Sequence, residues 1–399
     1  MSTASDIKKR LEENWNRFLI SNRATISSGT LIGSTPPSIF VGRHGYPKVK
    51  VGPMLAPLHG DTTILDMPEM WIGKSIEEIV NYRISLIRGV SSININTTSG
   101  KYLESLQELA MAKESSESEA TFEKKPIADT DQNKDLLMDT ESAPFGPIAL
   151  LKTFKTSSSL SVDQKIENAF YDRDLHAADA VTLLYNNEIE ISKIQRVLSM
   201  GMLGTQKNRK LVPTRWSISA TDDIISDYLI KNIRVNTTID FYEVYKYSHI
   251  GNHYCIILIP EQTWIFEMLE AWFDKNGNLA FGTEFEDATG LDHYPSIAGA
   301  YFAARLGIAE HYLKVRKSGG AIVLREIHPE YVLPVGVWQV REGVRVALNG
   351  DSNDFDSFEQ ALSFACISLS ASEKEWQGHS KFYKNTKDQT RITDFLHLN

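Results

Sequence analysis

Apolar residues recur with helical spacing in several parts of the chain and with strand spacing in others. Ser75 and Glu78 have the spacing of a capping box ahead of one apolar face, which predicts a helix over 75–89. The same periodicity predicts helices over residues 102–112, 163–185, 221–234, 296–317 and 358–369. Runs rich in β-branched and aromatic residues predict strands over residues 38–41, 49–51, 241–247, 253–259, 321–327, 336–340 and 344–348. Because helices and strands do not alternate and no repeat is present, the pattern predicts an α+β fold with short antiparallel strands.

Two segments lack the spacing of a core element. Residues 113–142 are rich in Ser, Asp and Glu and predict a mobile acidic loop, with room for a short strand at Thr121-Phe122. From Gln377 onward the chain is polar and basic, which predicts an exposed, flexible C-terminal tail. The glycine-spaced stretch from Asn276 to Gly290 is the candidate junction between two packed regions.

The composition narrows the class of protein. The chain has 399 residues, of which 42% are hydrophobic and 23% charged, the balance of an ordinary globular protein of two or three domains. Its apolar runs are too short to cross a bilayer, and its first residues do not resemble a secretory signal. Cys255 and Cys366 form no CxxC pair, which argues against a thiolate zinc site and a disulfide framework. We therefore expect a cytoplasmic protein without a membrane partner.

The charged residues are unevenly distributed along the chain. The net charge is −9, but no Asp or Glu occurs between Asn14 and Gly60 (the first basic segment) or between Ile191 and Thr221 (the second basic segment). Such segments in an acidic protein indicate positive surfaces of the kind that bind phosphate groups. The alternative, that these cations pair with carboxylates of the fold, stays open at this stage. The candidate nucleic-acid-binding residues are Arg43, His44, Lys48, Lys207, Arg209, Lys210, Arg215 and Trp216.

Two features of the basic segments admit an ordinary structural interpretation as well. Gly42-Arg43-His44-Gly45 is similar to loops that clamp a nucleic-acid backbone, but it lacks their flanking helix pair, so an ordinary turn fits the same residues. Trp216, beside Arg215, has the chemistry to stack on a base, although a Trp in this setting is more often a core anchor.

Asp222 and Asp223 are the candidates for catalysis. They directly follow the second basic segment, and with Asp172 or Asp174 they would supply the oxygen ligands of a metal-dependent nuclease. The competing interpretation puts both aspartates in the first turn of a helix capped by Thr221, where negative charge complements the helix dipole. A divalent metal is implied only by the nuclease interpretation. Otherwise the sequence predicts neither a cofactor nor a metal site.

The last residues of the chain carry a spaced recognition pattern. One tight helical turn brings three apolar side chains to the same side, and a glutamine one turn earlier can fill a separate polar pocket. This spacing is typical of peptides that bind the ring-shaped sliding clamp PCNA, and a chance match at a frayed terminus is the alternative. The residues concerned are Gln389, Ile392, Phe395 and Leu396.

Two blocks of sequence, together with the terminal peptide, carry a resemblance to a known family. The first block covers residues 37–47 with Val51-Gly52-Pro53, and the second runs from 196–201 into 209–223. On these residues the chain resembles the archaeal Nre family of DNA repair proteins over nearly its whole length. The resemblance implies an N-terminal region at 1–285, a C-terminal region at 286–376 and a tail at 377–399.

The resemblance also implies a role in DNA repair and clamp binding through the terminal peptide. Some members begin with a cysteine-rich, zinc-finger-like segment, and since no cysteine precedes Cys255 we expect that module to be absent. The family supplies no catalytic activity. We interpret the chain as a DNA repair factor recruited by the clamp, with DNA as a second partner. A metal-dependent nuclease or another enzyme acting on DNA or nucleotides is the alternative, and a non-catalytic adaptor is the third possibility.

Overall fold

The computed structural model describes residues 4–21, 29–124, 146–156, 160–274 and 276–388. The chain forms two compact units, the first built from residues 1–225 with 332–339 and the second from residues 226–331 with 340–399. The four residues of the predicted clamp peptide, Gln389, Ile392, Phe395 and Leu396, lie outside the described residues.

The first unit combines one large sheet with helices. Its helices are α1 Ala4–Ser21, α2 Ile76–Ile84, α3 Lys101–Met111, α4 Gln164–Tyr171, α5 Ala177–Asn186 and α6 Ile191–Ser199, and α7 Thr214–Ile233 begins in it. Its strands are β1 Thr30–Thr35, β2 Ile39–Val41, β3 Lys48–Leu55, β4 Ile87–Asn94, β5 Ser116–Phe122 and β6 Ile148–Thr156. They form a sheet in the order β1-β5-β6-β4-β3-β2, in which β4 and β6 run parallel and the other neighbours antiparallel.

The second unit has the same kind of architecture. Its helices are α8 Gly299–Val315, α9 Trp338–Leu348, which begins in the first unit, α10 Phe358–Cys366, α11 Glu373–His379 and α12 Lys381–Asp388. Its strands are β7 Thr237–Thr238, β8 Tyr242–His249, β9 Asn252–Ile259, β10 Phe266–Phe273, β11 Leu279–Glu286, β12 Lys317–Ser318, β13 Gly320–Ile327 and β14 Asn353–Phe355.

The sheet of the second unit has the order β11-β10-β13-β9-β8-β14, with β10 and β13 parallel. A hydrophobic core lies between one face of this sheet and the helices α10 to α12, and it includes the fully buried Trp376 and Ile257. The predicted α+β class is confirmed. None of the helices in the described part of the chain is long and apolar enough to span a membrane.

Several predicted boundaries were wrong because tertiary pairing overrode local pattern. The capping box at Ser75 is present, but α2 ends at Ile84, and Ile87 starts a strand in the middle of the sheet. The helix predicted over 163–185 is two helices, separated where the Asp172 carboxylate accepts the amides of Asp174 and Leu175. Residues 336–348, predicted as two strands, contain α9 instead. Val340 and Val344 are four residues apart, so they lie on the same face of this helix, and both are buried.

Two segments predicted to lack structure are ordered in part. The acidic segment begins with β5, whose buried positions include Ser116, Ser118 and Ala120, so its period-two pattern carries little hydrophobic signal. The predicted tail contains the end of α11 and the whole of α12, and Phe382 is buried. The carboxylate of Glu267 accepts the hydroxyl of Ser380 and the amide of Lys381, which fixes the start of α12.

Candidate nucleic-acid interface

Within the first basic segment, residues 42–47 form a tight loop between β2 and β3. The amide of Lys48 donates to the carbonyl of Gly45 at 2.9 Å, which closes the loop. Gly45 has a φ of +83°, and a Cβ there would lie 2.8 Å from the Lys48 carbonyl oxygen, so this turn requires glycine. The side chains of Arg43, His44 and Tyr46, together with Lys48, are exposed.

The second basic segment reaches this loop at the start of α7. The hydroxyl of Thr214 accepts a 2.9 Å hydrogen bond from the amide of Val41. Two residues further on, the rings of Trp216 and Tyr46 lie in contact, with centroids 6.1 Å apart and planes at 49°. Trp216 is 50% exposed, so the interpretation of this residue as a core anchor is wrong. Arg215 is exposed beside it.

The backbone of Ile95, directly after β4, also links the two basic segments. The amide of Ile95 donates to the carbonyl of Pro47, and the carbonyl of Ile95 accepts the amide of Leu211, both at 2.9 Å. Lys48 and Lys210, which flank these contacts, are exposed. The structure therefore brings the two basic segments together on the first unit. We name the result the basic-aromatic surface, formed by Arg43, His44, Tyr46, Lys48, Lys210, Arg215 and Trp216.

Two of the candidate cations lie elsewhere. Lys207 is exposed in a short 3₁₀ turn beside Arg173, whose carbonyl accepts the amide of Gln206. Arg209 is buried, and its guanidinium donates at 2.7 Å to the carbonyls of Gly204, Phe170 and Asp172. Burial, together with the nearby charge of Arg173, lowers the pKa of Arg209. Its role is to hold neighbouring loops together, and its side chain is not available to a surface partner.

A polar groove of about 550 Å³ opens where β4 and β6 separate. Hydroxyl and amine groups dominate its polar lining, and among the described residues that line it there is no Asp or Glu. Its wall is continuous with the first basic segment, because Asn94 and Ser92 pair in register with Lys48 and Lys50. The groove hydroxyls and amines belong to Ser91, Ser92, Thr97, Ser99, Tyr102, Thr153, Lys101 and Lys152.

The paired aspartates do not form an open carboxylate site. Because α7 begins at Thr214, Asp222 and Asp223 lie well inside this helix, so the interpretation that both occupy its first turn is also wrong. The Asp222 side chain is fully buried and accepts a 3.3 Å hydrogen bond from the Gln195 amide. Within the described residues, no group of three or more His, Cys, Asp or Glu residues could hold a metal ion.

Sequence reasoning missed three residues of this region. Tyr46 lies between glycine and proline directly after the predicted turn, and nothing in the sequence indicated a partner for it 170 residues away. Lys101 and Lys152 sit on α3 and β6 and join the groove only through the fold. The absence of acidic neighbours, the signal that identified the other cations, does not apply to Lys101, since Glu104 lies three residues away. Lys152 lies in a shorter acid-free run, residues 142–162, which the sequence analysis did not single out.

Comparisons with known proteins agree over most of the chain. The family described as "Archaeal Nre, N-terminal" matches residues 11–276, and "Archaeal Nre, C-terminal" matches residues 286–395. The DNA repair protein NreB of Archaeoglobus fulgidus is 35% identical over 365 residues, which is 90% of each chain. The DNA repair protein NreA of Haloferax volcanii is 33% identical over 371 residues, 89% of this chain and 86% of the relative. No solved structure matches. The chain belongs to the archaeal Nre family of proteins.

Proposed function

We propose that this protein is a DNA repair factor that the sliding clamp recruits to DNA and that contacts DNA through the basic-aromatic surface. The relatives are named DNA repair proteins, which supports the general role. The observation that carries the DNA contact is the convergence of two basic segments that are far apart in sequence. Phosphate contacts need exposed cations without competing carboxylates, and both segments are free of Asp and Glu.

The proposed clamp contact rests on the terminal peptide. Ile392, Phe395 and Leu396 supply three apolar side chains, and burying each contributes roughly 1.5–3 kcal/mol before ordering costs. That sum suits a transient contact, which a recruited factor needs in order to exchange on the clamp. Lys381 and Lys384, exposed on α12, add positive charge just before the peptide.

The clamp contact is tested with the full-length chain. We expect the double variant Phe395→Ala, Leu396→Ala to lose binding to immobilised PCNA in surface plasmon resonance, because both large apolar groups are removed. The matched control is Phe241→Ala, an aromatic residue that is 48% exposed in the second unit. Equal binding by the double variant and the control would refute clamp recruitment through this peptide.

The DNA contact is tested separately by fluorescence anisotropy with labelled oligonucleotides. We expect Arg43→Glu, Arg215→Glu to weaken binding strongly at low salt, since two attractive charges become repulsive. A protein that binds the clamp but shows no salt-sensitive affinity for DNA would instead be an adaptor, and the DNA part of the proposal would fall.

A further inference from the structure

The basic-aromatic surface exposes two aromatic rings that the first unit does not need for its core. Tyr46 and Trp216 are 49% and 50% exposed; Tyr46 lies on the loop between β2 and β3, and Trp216, 170 positions later, lies in the first turn of α7. Aromatic side chains normally bury most of their area, so two half-exposed rings in contact with each other indicate a surface that receives a planar or apolar group.

The charges around the pair decide which kind of group this is. The charged side chains carried by residues 42–50 and 210–216 are all cationic. Arg43 and Lys48, close to Tyr46 in the sequence, and Arg215, adjacent to Trp216, are exposed. Aromatic rings with surrounding cations match a nucleic-acid strand, whose bases stack on the rings while its phosphates meet the cations. An apolar protein partner would leave these cations without matching charge.

We infer that the Tyr46–Trp216 pair binds unpaired bases, so that single-stranded DNA is the preferred form of DNA at this surface. This inference rests on the proposed DNA contact and makes it more specific. In an intact duplex both faces of every internal base are covered by neighbouring bases, so a surface ring cannot stack on them. Unpaired bases offer those faces freely, as in the single-stranded gaps and flaps that arise during repair.

The polar groove supplies a path for the backbone of the same strand. It begins at Asn94, which pairs with Lys48 two residues beyond Tyr46. The hydroxyls of Thr97 and Ser99, both exposed, can donate to phosphate oxygens, and Lys101 and Lys152 provide positive charge. A strand whose bases lie on the ring pair thus has a carboxylate-free route along the edge of β4.

The inference is tested with the full-length protein, a labelled oligothymidine and a duplex of equal length. We expect the wild type to bind the single strand more tightly than the duplex. Trp216→Ala should lose about 5- to 140-fold in single-strand affinity, the range of one lost base stack, with a much smaller effect on the duplex. Trp216→Phe should retain most of the affinity, because it keeps a stacking face. Phe241→Ala, matched in exposure, should bind as the wild type does.

The possible outcomes separate the inference from the proposed function. If Trp216→Ala binds both forms of DNA normally while Arg215→Glu weakens both, stacking is refuted and the DNA contact survives. If the wild type binds neither form, the proposed DNA contact itself fails, and the inference with it. Tighter binding of single-stranded RNA of matched sequence would overturn DNA as the occupant. Urea unfolding of each variant shows whether Trp216→Ala is folded. If it is not, Tyr46→Ala, which removes the other ring of the pair, keeps the test decisive, because it should weaken single-strand binding in the same way.

Discussion

The hydroxyl of Thr214 accepts the backbone amide of Val41 at 2.9 Å, and this hydrogen bond joins the two basic segments of the chain. Val41 ends β2 just before the loop that carries Arg43 and Tyr46, whereas Thr214 begins the helix that carries Arg215 and Trp216. The relative position of the side chains that are proposed to bind DNA therefore depends on a hydrogen bond between two uncharged groups.

Thr214→Val tests this contact at almost constant side-chain shape. Because the amide of Val41 would lose its acceptor, we expect the free energy of unfolding to fall by about 1–3 kcal/mol, measured by urea denaturation. Single-strand affinity should fall as well, since the ring pair is no longer held in place. Thr182→Val is the control: that hydroxyl bonds only to carbonyls of its own helix, so its change should stay within about 0.5 kcal/mol. Equal effects of the two variants would show that the contact has no such role.

Arg209 and Arg215 should separate stability from binding. Arg209→Met keeps the aliphatic stem but leaves three carbonyls without their donor, so we expect a loss of about 2–4 kcal/mol in the free energy of unfolding. Arg215→Met should change stability by less than about 0.5 kcal/mol and weaken DNA binding regardless of sequence. Urea denaturation and anisotropy on the same samples provide both measurements. If Arg215→Met lowered stability and Arg209→Met only weakened DNA binding, the assignment of these two roles would be wrong.

Lys152 and Lys155 lie on the same strand but face different surroundings. Lys152 lines the polar groove, whereas Lys155 pairs in register with Glu119 on β5. If the groove carries a DNA backbone, Lys152→Ala should reduce the slope of log affinity against log salt by about 0.7, the contribution of one single-strand phosphate contact. Lys155→Ala should leave that slope unchanged. If both variants change the slope equally, the DNA backbone does not follow the groove.

The sequence predicted the elements whose local pattern agrees with their tertiary environment. The capping box at Ser75 and the buried strand that follows Gly251 are examples, and both are present. Where the local pattern and the tertiary environment conflict, the tertiary environment determines the structure. Ile87 has helical spacing relative to Ile79 but pairs as a strand, and the serines of β5 are buried although they carry no hydrophobic signal. Such positions depend on neighbours that are distant in sequence, which a single chain does not reveal.

The same limit applied to the candidate site. Charge distribution identified both basic segments, because an acid-free run is visible in the sequence itself. It could not separate the buried Arg209 from the exposed Arg215, since that difference arises from the carbonyls that surround Arg209. It also gave no reason for Gly52, where a Cβ would lie only 1.8 Å from the carbonyl oxygen of Gly89 on the neighbouring strand. A glycine at this position lets β3 and β4 approach each other closely.

Glu267 should make the stability of the second unit depend on pH. Its carboxylate is fully buried at the start of α12, and burial raises its pKa to about 7, although the donors Ser380, Lys381 and Phe382 act in the opposite direction. A carboxyl group whose pKa is raised on folding binds its proton more tightly in the folded state. Its contribution is therefore most favourable below the unfolded value of 4.5 and is lost as the pH rises towards 7.

Glu267→Gln removes this titration while keeping an acceptor oxygen. Between pH 5 and pH 8 we expect the variant to gain stability relative to the wild type, by on the order of 3 kcal/mol, because only the wild type must bury a charge at the higher pH. Urea denaturation at both pH values measures the difference. Glu359→Gln, an exposed residue in the first turn of α10, should follow the wild type. If both variants follow the wild type, Glu267 is charged in the folded protein at both pH values, and the start of α12 is anchored by an ordinary carboxylate.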